Sequence, residues 1–266
     1  MTKGVLQRRH FLDGIPLSPV TMADTLSYVE KLIHQGASGN YLIFCEANLL
    51  SHIPYHEKLA ESLRNADLVL ADGIATATLT HLRGIQIPER LPGPSFLPAA
   101  CEYGVPRGWR HFFLGGKEGT AQKLARRMQE RFPGLQVAGT YAPPFRTLSS
   151  EEEQEMKAMI EEADTHVLWV ALGSPKQELW VAEHAQCINV PVMLPVGAAF
   201  DFHAGTRPWA PAGLRKRGLE WLFRTITGGK STFRRNVRCV SVVGGMLLIE
   251  CLKYPFRRCG RKSDWS

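Results

Sequence analysis

The amino-acid sequence predicts an α/β fold: a mostly parallel, Rossmann-like sheet with helices on both faces, followed by a basic helical appendage at the C-terminus. Six short runs rich in Val, Ile, Leu and aromatic residues alternate with segments that have the apolar spacing of helices. Strands that alternate with helices form parallel sheets covered on both faces. A change to basic composition near residue 205 separates an α/β core at 1–205 from the appendage at 206–266.

The predicted elements follow the chain in order. The strands are residues 41–45, 67–71, 111–115, 135–141, 166–172 and 190–196. The clearest helices are residues 22–35, 118–132 and 149–163, and the last has acidic residues in its first turn, where the helix dipole favours them. Residues 211–227 have the amphipathic spacing of a helix. Its apolar side is formed by Leu214, Leu219, Leu222, Phe223 and Ile226.

Composition excludes several classes of protein. A chain of 266 residues with 44% hydrophobic content can bury a substantial core, which excludes disordered and fibrous proteins. The six cysteines form no CxxC pair, which argues against a zinc site or a disulfide framework. The N-terminus is charged where a signal peptide needs an apolar centre, and no apolar run approaches the ~20 residues of a membrane span. The chain is therefore expected to remain in the cytoplasm.

The net charge of +7 is unevenly distributed. Residues 207–262 contain 14 Lys and Arg against Glu220 and Glu250, a net of +12, which leaves 7 − 12 = −5 for the rest. Nucleic acid, anionic lipid and a diphosphate are all possible partners of such a segment, and a solvated basic face is the alternative. The aromatic residues Trp221, Phe223 and Phe233 have helical spacing, which favours packing in a core over stacking on nucleic acid. No nucleic-acid partner is therefore expected.

The last segment suits a membrane surface. From residue 231 to 262, about a dozen apolar residues lie between arginine clusters, too few to span a bilayer but enough to lie on one with the cations at anionic headgroups. The alternative is an ordinary helix packed on the domain or on a neighbouring subunit.

The ends of the predicted strands hold the candidate chemistry, because ligands of parallel sheets bind at the carboxyl ends of the strands. Asp72 ends an apolar strand and is followed by Gly73, so its carboxylate is a candidate general base or, equally, the N-cap of the next helix. Gly115 and Gly116 suggest a phosphate-binding turn, although the full GxGxxG pattern is absent. His52 and His56 have Pro54 between them and no third ligand, and no DxD or GxSxG motif occurs, so neither a metal nor a hydrolase triad is expected.

Several segments in order resemble one family, the bacterial WecG/TagA/CpsF glycosyltransferases (glycosyltransferase family 26, which includes N-acetylmannosaminyltransferases). The resemblance covers roughly residues 10–235. Its segments are NADLVLADGI (65–74), PER with a following glycine (88–93), FFLGGKEGTAQKLARRMQERFPGLQVAGTY (112–141), VLWVALGSPKQELWVAEH (167–184), VGAAFDFHAG (196–205) and AP with RKRGLEWLFR (210–224).

The resemblance implies an inverting transfer of a sugar from a UDP-sugar to a polyprenyl-diphosphate-linked saccharide, with no metal and no cofactor. It implies that Asp72 is the base, and that Gly173 and Gln177 line the donor cleft together with Gly115, Gly116 and Asp201. Lys176 would face the diphosphate or a structural carboxylate. The diphosphate would be bound by arginines of the appendage, namely Arg215, Arg217 and Arg224.

The sequence departs from the family pattern at three positions. Glu46 stands where many members have Asn, Ala75 replaces the last glycine of DGIG, and the segment after PER has Ser95 and lacks an aspartate. The departures imply either a different donor or acceptor sugar or a non-catalytic relative that binds nucleotide sugar or lipid-linked glycan. Retention of Asp72 and Gln177 favours an enzyme, peripheral on the inner face of the plasma membrane. A homo-oligomer is possible and would compete with membrane docking of the appendage.

Overall fold

Six parallel strands form the centre of the structure, a computed structural model that describes residues 10–12 and 14–260. The strands of the described residues are β1 (His10–Leu12), β2 (Ile15–Leu17), β3 (Asn40–Cys45), β4 (Leu68–Ala71), β5 (Arg110–Gly115), β6 (Gln136–Tyr141), β7 (Val167–Ala171) and β8 (Val192–Pro195). The central sheet has the order β4-β3-β8-β7-β5-β6, and all its pairings are parallel. The predicted parallel α/β fold is confirmed. β1 and β2, which form a separate antiparallel pair, were not predicted, because three residues each are too few to show a periodic pattern.

Helices connect the strands. They are α1 (Met22–His34), α2 (Ala47–His52), α3 (Glu57–Asn65), α4 (Ile74–Leu82), α5 (Gly93–Gly104), α6 (Thr120–Arg131), α7 (Ser150–Glu162), α8 (Lys176–His184), α9 (Ala199–Ala204), α10 (Ala212–Lys216), α11 (Glu220–Thr227) and α12 (Lys230–Gly260). The three helices predicted most clearly, α1, α6 and α7, begin and end within two residues of their predicted bounds. α1 and α7 begin at capping boxes, in which Thr21 pairs with Asp24 and Ser149 with Glu152.

The core has two halves, one on each face of the sheet. Along β7 the side chains alternate: Val167 and Trp169 face one half, and Leu168 and Val170 face the other. Both faces of a strand are buried only when helices cover both sides, which is why these strands read as continuous apolar runs. The sheet is therefore covered on both faces, and its accessible surface is the edge where the strands end.

The prediction of one helix over residues 211–227 is wrong. The chain forms α10 and α11 with a break between them, where Gly218 has a φ of 72°. The apolar side of the predicted helix does not form a core stripe either, since Ile226 is 78% exposed. The expectation that the aromatics pack in a core is also wrong for Trp221 and Phe233, which are 46% and 55% exposed.

Helix α12 packs on the core through α2 and α4. Val243 of α12 belongs to one half of the core, and the buried carboxylate of Glu250 forms an ion pair of 2.9 Å with Arg83, the residue that follows α4. The expected alternative to a membrane-surface segment, a helix packed on the domain, is therefore observed for α12. Other apolar residues of α12 remain exposed. Within the described residues, no helix combines the length and the apolar character needed to cross a membrane.

Candidate active site

Two carboxylates lie side by side where the neighbouring strands β3 and β4 end. Cys45 is paired with Ala71 in the parallel register, and the Asp72 backbone N–H donates to the Cys45 carbonyl at 3.1 Å. The next residue of each strand is acidic, Glu46 after β3 and Asp72 after β4. Because neighbouring strands are about 4.8 Å apart, the register places these two acids next to each other.

Asp72 is partly buried and has a perturbed acidity. Burial raises its pKa to about 7, and the nearby Glu46 charge acts in the same direction. A hydrogen bond of 3.2 Å from the Gly93 backbone N–H and the charge of Arg224 act against this shift. The N-cap of α4 is Gly73, so the alternative role of Asp72 as the N-cap of that helix is wrong. A carboxylate with a pKa near neutrality is suited to accept a proton and release it again.

Asp72 lies in a cavity of about 630 Å³. Its lining includes the charged residues Glu46, Asp72, Glu89, Arg90, Arg215, Glu220 and Arg224. It also includes apolar residues of α4, α11 and α12, namely Ile74, Ala75, Trp221, Val240, Val243 and Leu247. The cavity therefore suits a ligand that has a charged part and a hydrocarbon part.

Arg224 lies among carboxylates in this cavity. It forms an ion pair with Glu220 one turn earlier in α11, and its Nη1 is 4.0 Å from Oε2 of Glu46. Burial lowers the pKa of Arg224, but Glu220, Glu46 and Asp72 outweigh this effect and raise it. The Nε group of Arg224 is buried without a hydrogen-bond partner among the described residues. The guanidinium is thus a stable cation with a donor left over for an anion.

Arg215 lies on an aromatic stack. Its guanidinium carbon is 3.7 Å from the centre of the Trp209 ring, and Trp209 stacks on Phe202 with centroids 5.7 Å apart and an angle of 3° between the planes. Stacking on a ring holds a guanidinium while its edge remains available to a ligand. Arg217, in contrast, is exposed at the break between α10 and α11 and does not line the cavity. The structure thus places two of the three predicted arginines in the cavity that contains Asp72.

The predicted donor-side residues follow the adjacent strands and lie outside the cavity wall. Gly115 has a structural reason to be glycine, because a Cβ there would lie 2.4 Å from the Ala171 carbonyl oxygen. Gly116 has a φ of 77° and donates its N–H to the same oxygen at 2.9 Å. Gly173 has a φ of 83°, and no described atom lies within 4 Å of the point that a Cβ would occupy, so backbone approach by a ligand is open there.

Lys176 begins α8 and is exposed, with no ion pair to a described carboxylate. Among the described residues, Lys176 therefore does not pair with a structural carboxylate, which was one of its two predicted roles. Asp201 accepts a hydrogen bond of 3.0 Å from the Thr206 hydroxyl, and so stabilises the turn after α9.

Gln177 is held in a fixed orientation. It is only 4% exposed, and its side-chain amide donates to Oε1 of Glu178 at 2.9 Å. A Cβ on Gly197, in the turn after β8, would lie 3.0 Å from Oε1 of Gln177, which has no described hydrogen-bond partner. Burial raises the pKa of Glu178 to about 7, and the charge of Glu46 adds to the shift. Gln177 and Glu178 thus lie beside the acidic pair at the same sheet edge.

Metal ligands are not gathered at this edge. Among residues 10–12 and 14–260, no group of three or more His, Cys, Asp or Glu side chains could hold a metal ion.

Sequence comparison matches this architecture to a known family. The profile of the "Glycosyl transferase WecG/TagA/CpsF family" matches residues 9–256, nearly the whole chain. The chain belongs to the WecG/TagA/CpsF family. It is therefore a member of a glycosyltransferase family, as its sequence motifs indicated.

Curated relatives of this WecG/TagA/CpsF protein include two from Staphylococcus aureus, strains MRSA252 and NCTC 8325. Each is named N-acetylglucosaminyldiphosphoundecaprenol N-acetyl-beta-D-mannosaminyltransferase. Each is 22% identical over 218 residues, which cover 82% of this chain and 84% of the relative.

The three departures from the WecG/TagA/CpsF pattern meet in one place. Glu46, Ala75 and Ser95 all line the cavity that contains Asp72. Two other lining residues, Arg90 and Trp209, were not singled out from the sequence. Arg90 lies in the matched PER segment and could have been found there, whereas the Trp209 stack depends on a tertiary contact that no local pattern indicates.

Proposed function

We propose that this protein is an inverting glycosyltransferase, which moves a hexose or N-acetylhexosamine from a UDP-sugar to a polyprenyl-diphosphate-linked saccharide in bacterial surface or exopolysaccharide synthesis. The mixed lining of the cavity carries the proposal. Its charged residues suit the sugar and diphosphate, and its apolar residues on α4 and α12 suit the first part of a hydrocarbon chain. The S. aureus relatives, whose name specifies a diphosphoundecaprenol-linked acceptor, support the same substrate class.

Asp72 is the proposed base. Its carboxylate takes the proton of the acceptor hydroxyl as that oxygen attacks the anomeric carbon, and the bond from that carbon to the UDP oxygen breaks. Attack from the side opposite the leaving group inverts the configuration of the carbon. The pKa of about 7 keeps a large part of the Asp72 population ionised at neutral pH, while leaving the group basic enough to accept a proton.

Arg215 and Arg224 are the proposed cations for the departing diphosphate. Preorganised charges aimed at developing negative charge supply a large part of catalysis in such reactions. Arg215 is held by Trp209 and Arg224 by its carboxylates, so both are in place before the reaction. The proposal requires no divalent metal, and the donor sugar is bound from the side of Gly115, Gly116, Gly173, Lys176, Gln177 and Asp201.

The appendage is proposed to dock on an anionic membrane from the cytoplasmic side. Exposed apolar side chains on α12 adjoin exposed basic residues in the sequence, such as Phe233 beside Arg234 and Val237 beside Arg238. Apolar side chains inserted among headgroups, with cations at anionic lipids, are the usual means of surface attachment. Among the residues of α12 whose side chains the structure describes, the large exposed apolar ones are Phe233, Val237, Val240, Leu248, Ile249 and Leu252.

The test is acceptor-dependent release of UDP by the purified full-length protein. The donors are UDP-N-acetylmannosamine, UDP-glucose, UDP-N-acetylglucosamine and UDP-glucuronic acid, each offered with short-chain lipid-diphosphate mono- and disaccharides. We expect release with one donor, unchanged by EDTA, and a product with an inverted anomeric centre by NMR.

Two results would contradict the proposal. Measurable UDP binding without release from any pair would identify a non-catalytic nucleotide-sugar binder. Release that is abolished by EDTA and restored by a divalent cation would retain the transferase but overturn its metal independence.

A further inference from the structure

Glu46 and Asp72 form a close pair of acids whose spacing is set by the backbone. They follow paired residues of β3 and β4, and a Cβ on Gly73 would lie 3.9 Å from the Cβ of Glu46. Glu46 is the N-cap residue of α2, but its side chain makes no capping hydrogen bond. Its carboxylate is directed instead to the cavity, where its Oε2 lies 4.0 Å from Nη1 of Arg224.

We propose that Glu46 is a positioning residue for the transfer reaction: its carboxylate attracts the Arg224 guanidinium, which is already paired with Glu220 in α11, to the sheet edge beside Asp72. This inference rests on the proposed function, and it assigns a role in that reaction to a residue that departs from the family pattern. Arg224 belongs to α11 and Glu46 to the end of β3, so the contact joins the C-terminal segment to the sheet edge at the base.

The charge of Glu46 also acts on Asp72. After burial, it is the largest cause of the raised pKa of Asp72. The other charged groups that influence this carboxyl are Arg224, which lowers its pKa, and Glu220, which raises it. Glu89, Arg90 and Arg215 line the same cavity. Removal of the Glu46 charge is therefore expected to lower the pKa of Asp72.

Three variants separate the two effects. Glu46→Gln removes the charge, whereas Glu46→Asp keeps the charge but shortens its reach to Arg224. Glu57→Gln, on the exposed side of α3 and outside the cavity, is the control. The measurement is kcat as a function of pH for each variant and for wild type.

In wild type we expect activity to rise with pH through about 7, because only ionised Asp72 accepts the proton. Glu46→Gln should move this rise to lower pH by about one unit and lower the plateau about tenfold, the loss typical of a positioning contact. Glu46→Asp should lower the plateau but leave the rise near its wild-type pH.

Combining Glu46→Gln with Arg224→Gln should lower the plateau no further than Arg224→Gln alone. An unchanged pH profile in Glu46→Gln, or additive losses in the double variant, would overturn the proposal.

A measurement without activity keeps this inference distinct from the proposed function. Asp72→Asn should raise the melting temperature, and this increase should grow with pH until the pKa of Asp72 is reached. The reason is that a buried carboxyl group with a raised pKa lowers stability only at a pH at which the same group is ionised in the unfolded state. In the Glu46→Gln background this growth should end at lower pH. If wild type transfers no sugar, the proposed function fails, while the melting experiment still decides whether Glu46 acts on Asp72. Growth that ends at the same pH in both backgrounds would refute that coupling.

Discussion

Asp72 and Glu178 are acids at one sheet edge whose pKa values burial raises to about 7, yet they occupy different environments. Asp72 lines the cavity, where a substrate hydroxyl can reach it. Glu178 is buried and accepts a hydrogen bond from the side-chain amide of Gln177. One acid is therefore placed for proton transfer, and the other for fixing the orientation of a neighbouring amide.

Asp72→Asn should lower kcat by roughly 10²- to 10⁴-fold, the usual contribution of a general base. An amide of the same shape can still accept the Gly93 hydrogen bond but cannot take the proton of the acceptor. UDP binding, measured by calorimetry, should stay within about twofold, a limit that corresponds to roughly 0.4 kcal/mol. Near-normal turnover in this variant would mean that another group is the base.

Glu178→Gln should stabilise the protein at pH 8 and leave its stability nearly unchanged at pH 4. The raised pKa means that wild type loses stability as the pH rises from the ordinary value of a glutamate to about 7, and the glutamine variant does not have this loss. The difference should reach roughly 2–4 kcal/mol in urea unfolding. Glutamine retains an oxygen that accepts the Gln177 amide hydrogen bond.

Glu183→Gln, on the exposed side of the same helix, is the control for this measurement. A gain that does not depend on pH, or one that the control shares, would argue against a buried Glu178 carboxyl as the cause.

At the scale of elements, the break between α10 and α11 determines where Arg224 lies. Gly218 has a left-handed φ of 72°, and a Cβ there would lie 2.8 Å from Cβ of Ile74 at the cavity wall. Gly213, in α10, has nothing within 4 Å of its Cβ position. The two glycines are close in sequence but opposite in what they tolerate.

Gly218→Ala should lower the melting temperature and raise the KM for the lipid-linked acceptor, because both backbone strain and the contact with Ile74 push α11 away from α4. The strain alone costs about 1 kcal/mol. Gly213→Ala should raise stability by roughly 0.5–1 kcal/mol, since alanine is the better helix former. The melting temperatures of both variants test this prediction. Equal changes in the two would refute the role of the break in positioning α11.

Sequence alone predicted the elements of the core because their signals are local. Apolar runs, helical spacing and the acidic first turn of residues 149–163 each lie within a few residues. Asp72 could be found in the same way, as the first polar residue after an apolar strand. The pairing of Glu46 with Asp72 could not, because it depends on the register between β3 and β4. The break at Gly218 was missed because the apolar spacing of residues 211–227 continues across it.

At the scale of the whole molecule, α12 both packs on the core and exposes apolar side chains, and its apolar sequence pattern does not distinguish the two sets of residues. Val243 and Cys239 are buried against the core, whereas Leu248 and Leu252 are 63% and 67% exposed. Deletion of the whole helix would therefore damage the cavity as well as any membrane contact. Point substitutions on the exposed side test the membrane contact alone.

Leu248→Ser combined with Leu252→Ser should reduce co-sedimentation with vesicles that contain anionic lipid by about tenfold or more, because each buried leucine contributes roughly 1.5–3 kcal/mol to insertion. Phe145→Ser, at an exposed apolar residue far from α12 in sequence, should leave sedimentation unchanged. Equal binding by wild type and the double variant would show that this side of α12 does not face the bilayer. UDP release with a short-chain acceptor provides a check that the cavity is intact.

The residues that form the cavity wall are synthesised at different times. Asp72 and Glu46 belong to the first third of the chain, but the opposite wall comes from residues 209–247, which leave the ribosome late. Chains emerge and begin to fold from the N-terminus. The acidic pair is therefore made early, without Arg224 or the apolar side of α12 against it. A nascent chain gains its complete binding cavity only after residue 247 has emerged, so a chain that stops between the end of β8 and residue 209 has a sheet edge with a base but no enclosed site.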